Sequence, residues 1–141
     1  MIQSIGHVAF DAYSFPETLD FYVRVCEFPE MFRLNDDDGQ LWIVYLKISD
    51  SVFLELFPRT GEPPAQSDSH FSHLCLEVNN IEQTLYNMEM RGAPVDADVS
   101  VGRDGNKQAW TRDPEGNRIE LMEMSPNSRQ RAALAQLQEG N

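Results

Sequence analysis

The sequence has few of the features that mark secreted or membrane-bound proteins. Only two cysteines occur, Cys26 and Cys75, and they have no CxxC spacing. We therefore expect small reduced hydrophobic side chains, not a disulfide or a thiolate metal site. No apolar run approaches the roughly 18 residues that cross a membrane, and the N-terminus has no cleavable signal pattern. These absences predict a cytoplasmic protein with no membrane partner.

Basic residues are also scarce, with 11 lysines and arginines against 23 acidic residues and a net charge of −12. A chain this acidic repels the phosphates of nucleic acids, so we expect no nucleic-acid partner. The acidic run at residues 36–38 lacks the glutamate that a calcium loop requires, and it predicts a solvated turn. Apolar residues make up 41% of the chain, which is too many for a disordered protein and predicts a folded one.

Residues 1–57 are predicted to form a first module with the order strand, helix and three strands. Its strands are predicted at residues 5–10, 31–34, 41–48 and 52–57. Residues 14–17, Ser-Phe-Pro-Glu, have the pattern of a capping box at a helix start. Leu19, Tyr22 or Val23, and Cys26 then recur at helical spacing, which predicts the buried face of that helix.

Residues 58–70 contain three prolines, a glycine and small polar residues, and we predict a linker there. The order of elements then repeats in residues 71–125, with strands predicted at 71–78, 95–101, 107–112 and 118–124. The second helix is capped by Asn79 or Asn80 and buries Ile81, Leu85 and Met88. The tail, residues 126–141, contains a predicted short helix with a thin apolar face.

A histidine and a glutamate occupy matching positions in the two modules. His7 stands in GHVAF and Glu55 in VFLELF, whereas His73 stands in FSHLCLEV and Glu120 in RIELM. The spacing from histidine to glutamate differs by a single residue between the two modules. The chain is therefore predicted to be an internal duplication that repeats one histidine and one glutamate.

Alternation along the predicted strands divides their side chains between two faces. One face is entirely apolar and contains Val8, Phe10, Val52, Leu54, Leu56, Leu74, Leu76, Val78, Ile119 and Leu121. The opposite face contains His7, Phe53, Glu55, Phe57, Phe71, His73, Cys75, Arg118, Glu120 and Met122. Two histidines and two carboxylates thus share a partly aromatic face, which is typical of a lined cavity.

A single strand histidine is usually an ordinary core or surface residue. A glutamate between phenylalanines is different, because burial of a carboxylate costs several kcal/mol unless a cation or hydrogen-bond donors compensate. A divalent ion held by His7, Glu55, His73 and Glu120 would compensate both glutamates at once. Such a mixed nitrogen and oxygen site accepts nickel, cobalt, zinc or manganese. His70, three positions before His73, is an alternative ligand or an ordinary loop histidine.

Several segments together resemble the vicinal oxygen chelate superfamily of glyoxalases, bleomycin-resistance proteins and dioxygenases. They are IGHVAF, LDFYVRVCEF, VFLELF, SHLCLEV and WTRDPEGNRIELME, in this order and spacing. The resemblance implies an α+β fold in which two tandem βαβββ modules form a curved mixed sheet that cups a metal. It is closest to bacterial glyoxalase I, lactoylglutathione lyase, whose cup is commonly completed across a homodimer.

The same resemblance implies a chemistry and a ligand set. His7, Glu55, His73 and Glu120 would bind the divalent metal, and Glu120, with Glu55 as its counterpart, would act as the general base on a small-molecule substrate. The implied activity is that of a lyase or isomerase, which removes a proton next to a carbonyl in a hydroxycarbonyl compound or hemithioacetal.

Other functions in the superfamily remain as alternatives. One is a non-catalytic small-molecule binding or resistance protein, in which histidine and glutamate bind each other without a metal. An epimerase or a dioxygenase is also an alternative, although Glu55 argues against a dioxygenase. Relatives that use glutathione carry an arginine and an asparagine where this chain has Asp11 and Arg59, so the substrate stays open.

Overall fold

The computed structural model describes residues 1–65 and 69–140, and the chain divides into two compact units, Met1–Ser69 and His70–Asn141. Residues 66–68 of the predicted linker and residue 141 lie outside the described ranges. The strands are β1 His7–Ala12, β2 Glu30–Asn35, β3 Leu41–Lys47, β4 Phe53–Pro58, β5 Leu74–Glu77, β6 Ala97–Val101, β7 Lys107–Arg112 and β8 Arg118–Glu123. The helices are α1 Phe15–Asp20, α2 Ile81–Met90 and α3 Arg129–Glu139.

Each unit contains one four-stranded mixed sheet with the same topology. The strand order is β1-β4-β3-β2 in the first unit and β5-β8-β7-β6 in the second. In both sheets the first strand runs parallel to the fourth, and the remaining pairs are antiparallel. The α+β class and the tandem repeat of βαβββ modules are thereby confirmed.

The predicted apolar face forms the core of each unit. In the first unit the buried apolar side chains are Phe10, Ala12, Phe21, Tyr22, Val25, Ile43, Val44, Leu46, Leu54 and Leu56. In the second they are Ile81, Leu85, Met88, Ala93, Ala109, Ile119 and Leu121. Burial of these side chains removes apolar surface from water and fixes the face that each strand turns away from the core. The histidines and glutamates of interest alternate with this set, so they lie on the other face.

The first helix differs from the prediction in its buried face. After α1 the chain continues as a π-helical segment, Phe21–Val25, closed by a hydrogen bond of 3.0 Å from Cys26 N to Phe21 O. Tyr22 is fully buried as predicted, whereas Leu19 and Cys26 are only half-buried and Phe21 and Val25 are buried. The prediction was therefore right for Tyr22 and wrong for the residues on either side of it.

Local capping was predicted correctly for α2 and incorrectly for α1. The Ser14 side chain makes no capping hydrogen bond to α1, which instead begins with Pro16 in its first turn. At α2 the side chain of Asn80 accepts a hydrogen bond of 3.0 Å from Gln83 N, and Glu123 Oε2 accepts one of 2.8 Å from Ile81 N. Gly92 takes a positive φ of 97° where α2 ends, as its position predicted.

Two further expectations are corrected. The strand predicted from residue 71 begins only at Leu74, so His73 immediately precedes β5. Cys75 is exposed and Cys26 is half-buried, so neither is a core residue, although both are free thiols as predicted.

The tail helix α3 has no buried residue, in agreement with its thin apolar face. Within the described residues no helix is long and apolar enough to cross a membrane.

Replacement of Asn80 by alanine is expected to lower the free energy of unfolding by about 1 kcal/mol, because the N–H of Gln83 loses its acceptor. Chemical denaturation of the full chain measures the change. Asn79→Ala is the matched control, because this neighbouring asparagine precedes the capping position. An equal loss in both variants would contradict the capping role.

Candidate metal centre

The first unit brings His7 and Glu55 into contact on the face of the sheet opposite the core. His7 begins β1, and the parallel register places Ala9 opposite Glu55 on β4. The Nε2 atom of His7 lies 2.8 Å from Oε2 of Glu55. The Glu55 side chain is only 9% exposed, whereas the His7 side chain is 56% exposed. The carboxylate is thus nearly removed from water, and its histidine partner keeps one side open to solvent.

Tyr45 supplies a second partner for the buried carboxylate. It lies directly opposite Glu55 on β3, and its hydroxyl donates a hydrogen bond to that carboxylate. This hydrogen bond is the main reason that the pKa of Tyr45 is raised, with burial and the negative charge of Glu55 adding to it. Tyr45 is therefore in direct contact with a candidate site residue.

The second unit repeats the contact with His73 and Glu120. Nε2 of His73 lies 3.1 Å from Oε2 of Glu120, and the two side chains are 32% and 17% exposed. The other ring nitrogen, Nδ1, lies 2.9 Å from the hydroxyl oxygen of Ser72. A hydrogen bond at Nδ1 fixes the orientation of the ring and leaves Nε2 directed at the carboxylate, as in histidines that bind metals.

Trp110 stands where Tyr45 stands in the first unit, directly opposite the glutamate. It pairs with Glu120 across β7 and β8, and its ring makes an edge contact with the His73 imidazole at a centroid distance of 4.8 Å. Its other contact is with Arg118, whose guanidinium carbon lies 4.4 Å from the ring centroid. Trp110 therefore lies beside the second histidine.

Cys75 lies opposite Glu120 on β5, close enough to be considered as a ligand. Burial of its thiol, and then the negative charge of Glu120, raise the pKa of Cys75 to about 11. A thiol with a raised pKa is a poor nucleophile at neutral pH.

Asp11 and Arg59 form an ion pair at the far end of β1 and β4. Nε of Arg59 lies 2.7 Å from Oδ1 of Asp11, and the guanidinium also lies over the Phe57 ring at 5.5 Å. Both residues depart from the pattern of glutathione-using relatives, and their pairing was not predicted from the sequence. The signal that could have revealed the pair is their equal offset from His7 and Glu55.

Each unit by itself contributes one imidazole and one carboxylate. Across residues 1–65 and 69–140, no three histidine, cysteine, aspartate or glutamate side chains form a metal-binding group. Catalytic metal sites use three protein ligands or more, so neither pair suffices on its own. The nitrogen and carboxylate donors are of the types that divalent transition ions bind, and the four-residue ligand set stays a prediction.

The repeated βαβββ module, with a His–Glu pair on the sheet face opposite each core, indicates the class to which the protein belongs. The sequence profile of the Glyoxalase/Bleomycin resistance protein/Dioxygenase superfamily matches residues 4–121. The chain belongs to this superfamily, whose members typically bind divalent metals and small molecules. No curated protein matches the chain significantly.

Solved structures share the fold at low sequence identity. A glyoxalase family protein from Enterococcus faecalis is 26% identical, with a TM-score of 0.72, covering 85% of this chain and 97% of its own. Lactoylglutathione lyase from Agrobacterium tumefaciens is 20% identical, with a TM-score of 0.65 and coverages of 86% and 94%. TnmS3, an antibiotic binding protein from Streptomyces sp. CB03234, is 20% identical, with a TM-score of 0.71 and coverages of 88% and 98%.

Replacement of Tyr45 by phenylalanine is expected to destabilise the protein by about 1–2 kcal/mol, because the buried Glu55 carboxylate loses a hydrogen-bond donor. Chemical denaturation measures the loss. The control is Tyr86→Phe, which changes the same group on an exposed position of α2. An unchanged stability in Tyr45→Phe would show that the hydroxyl contributes nothing to the burial of Glu55.

Proposed function

We propose that the protein is a divalent-metal-dependent lyase or isomerase of the glyoxalase type. Its substrate is a small hydroxycarbonyl compound or hemithioacetal, and the reaction begins by removal of a proton next to a carbonyl. The observation that carries the proposal is the repeated contact of a histidine Nε2 with a glutamate carboxylate, at 2.8 Å in one unit and 3.1 Å in the other. The similarity to a lactoylglutathione lyase agrees with this function.

In this proposal His7, Glu55, His73 and Glu120 hold one ion. Two copies of the chain then form a homodimer in which His7 and Glu55 of one copy join His73 and Glu120 of the other. The ion, which is nickel, cobalt, zinc or manganese, supplies Lewis acidity that stabilises negative charge on the substrate oxygens. The hydrogen bond at Nδ1 of His73 supports this role, since it orients Nε2 for a ligand.

The two glutamates differ in a way that supports Glu120 as the general base. Glu55 accepts a hydrogen bond from Tyr45, which anchors its carboxylate beside β3. Glu120 lies opposite Trp110, which carries no hydroxyl, and its side chain is about twice as exposed as that of Glu55. Glu120 is therefore freer to move and to accept a proton from carbon, while Glu55 remains its anchored counterpart.

A second candidate is a non-catalytic binding protein for a small molecule. In that case the histidines and glutamates stay hydrogen-bonded to each other and no ion is required, which the same two contacts also allow. The similarity to TnmS3, an antibiotic binding protein, favours this candidate. The metal content of the purified protein separates the two functions.

The first prediction concerns metal binding. We expect the protein to bind one divalent ion per chain after dialysis against nickel, cobalt, zinc or manganese, as measured by elemental analysis. His73→Gln is expected to weaken binding by at least about 100-fold, since loss of even an outer hydrogen-bond partner of a ligand costs roughly 10–100-fold.

The control for His73→Gln is His70→Gln, which removes the neighbouring histidine that is the alternative ligand. Its affinity for the ion should equal that of the unmodified protein. Absence of bound metal under all four conditions would contradict the lyase proposal and favour the binding protein. Loss of metal in His70→Gln would instead reassign the ligand.

The second prediction concerns the base. Glu120→Gln is expected to lower turnover of the hemithioacetal of methylglyoxal and glutathione by about 10²–10⁴-fold, because the amide cannot accept the proton. The free energy of unfolding should change far less, since the amide keeps the shape of the side chain. Turnover and chemical denaturation are measured on the same preparations.

The matched control is Glu77→Gln, an exposed carboxylate on the neighbouring strand β5. It should retain full turnover. Equal turnover in Glu120→Gln and the unmodified protein would end the assignment of Glu120 as the base.

A further inference from the structure

Arg118 is an exposed guanidinium two residues before Glu120, at the start of β8. Residues two apart on a strand share a face and lie about 7 Å apart, so Arg118 belongs to the same face as Glu120. The parallel register of β5 and β8, continued by one residue from Leu74 opposite Ile119, places His73 beside it. A cation therefore adjoins both members of the second His–Glu pair.

Several cations of the chain form ion pairs with carboxylates, namely Arg24, Arg33, Lys47, Arg59, Lys107 and Arg112. Among residues 1–65 and 69–140, no carboxylate forms an ion pair with Arg118, and its contact is with the face of Trp110 at 4.4 Å. Stacking on a ring leaves the N–H donors at the edge of a guanidinium open to bind a planar anion.

The backbone just before Arg118 forms a hydrogen-bonded turn. In the turn before β8, Oδ1 of Asp113 accepts hydrogen bonds from the backbone N–H groups of Glu115 and Asn117, at 2.9 and 2.8 Å. Gly116 takes a positive φ of 85°, which favours glycine at this position of the turn. A guanidinium held by a fixed turn and an aromatic ring loses little freedom when it binds a ligand.

The first unit has no such group at the matching position. Phe53 stands two residues before Glu55, as Arg118 stands two before Glu120. Phe53 lies opposite His7 in the register of β1 and β4. The duplication thus conserves the His–Glu pair in both units and places a cation beside only one of them.

We propose that Arg118, stacked on Trp110 beside His73 and Glu120, is an anion subsite that binds a carboxylate or phosphate group of the ligand. The inference rests on the proposed function in that the ligand is the substrate of the same site. It adds that the substrate class carries an oxyanion close to the reacting hydroxycarbonyl. Because the net charge of −12 repels anions in general, binding of a small anion requires a local site of this kind.

The test uses the metal-free full chain, titrated with lactate, its neutral analogue lactamide, and methyl phosphate. Binding is followed by NMR at the indole N–H of Trp110. We expect both anions to shift this signal and lactamide to bind at least about tenfold more weakly than lactate, because a charge-assisted hydrogen bond is lost. The tighter of the two anions identifies the group as carboxylate or phosphate.

Arg118→Met should weaken lactate binding by about tenfold, with the apolar stem still covering the ring. Arg24→Met, which removes one positive charge from an ion pair on the other unit, is the matched control and should bind as the unmodified protein. Equal binding of lactate and lactamide by the unmodified protein would overturn the subsite. Unchanged binding of lactate by a folded Arg118→Met variant would overturn it as well.

The result can be separated from the test of the proposed function. Binding of lactate through Arg118 in a protein that never binds a metal would support the subsite and contradict the lyase. Metal binding and turnover with no preference for lactate over lactamide would support the lyase and overturn the subsite.

Discussion

A carboxylate that is almost removed from water needs a cation or a hydrogen-bond donor beside it. This requirement determines which side chains surround Glu55 and Glu120 on the sheet face opposite each core. Glu55 is 7% exposed and meets it with His7 and the hydroxyl of Tyr45. Glu120 meets the same requirement through its contact with the His73 imidazole. An unpaired buried charge costs several kcal/mol, so each glutamate is stable only beside its histidine. The His–Glu pairing therefore favours the strand register that keeps the two side chains together. A slip of one residue would turn both glutamates into the core.

Much of the fold could be predicted from the sequence because the signals are local. Strand alternation identified β7 and β8, and Asn80 and Gly92 marked the ends of α2. The π-helical segment after α1 could not be predicted, because no local sequence pattern encodes its wider turn. The Ser14 pattern marked the start of α1 correctly, although the Ser14 side chain makes no capping hydrogen bond.

Internal duplication pointed to His7, Glu55, His73 and Glu120 as candidate site residues, and the structure brings each histidine into contact with the glutamate of its own unit. Their role as one ligand set stays a prediction. The stack of Arg118 on Trp110 depends on the register of a hairpin and on two side-chain rotamers, neither of which spacing determines.

The difference between Phe53 and Arg118 has a stereochemical consequence. A ligand set made of two equivalent halves would, taken alone, accept a small chelating molecule in either of two opposed poses. Under the proposed function, an apolar ring next to one histidine and a cation next to the other would make those poses unequal in energy. A molecule with one charged end would then be held one way round, with a single prochiral face of its carbonyl turned toward the proposed base. Handedness of the product would follow from one position at which the two halves diverged.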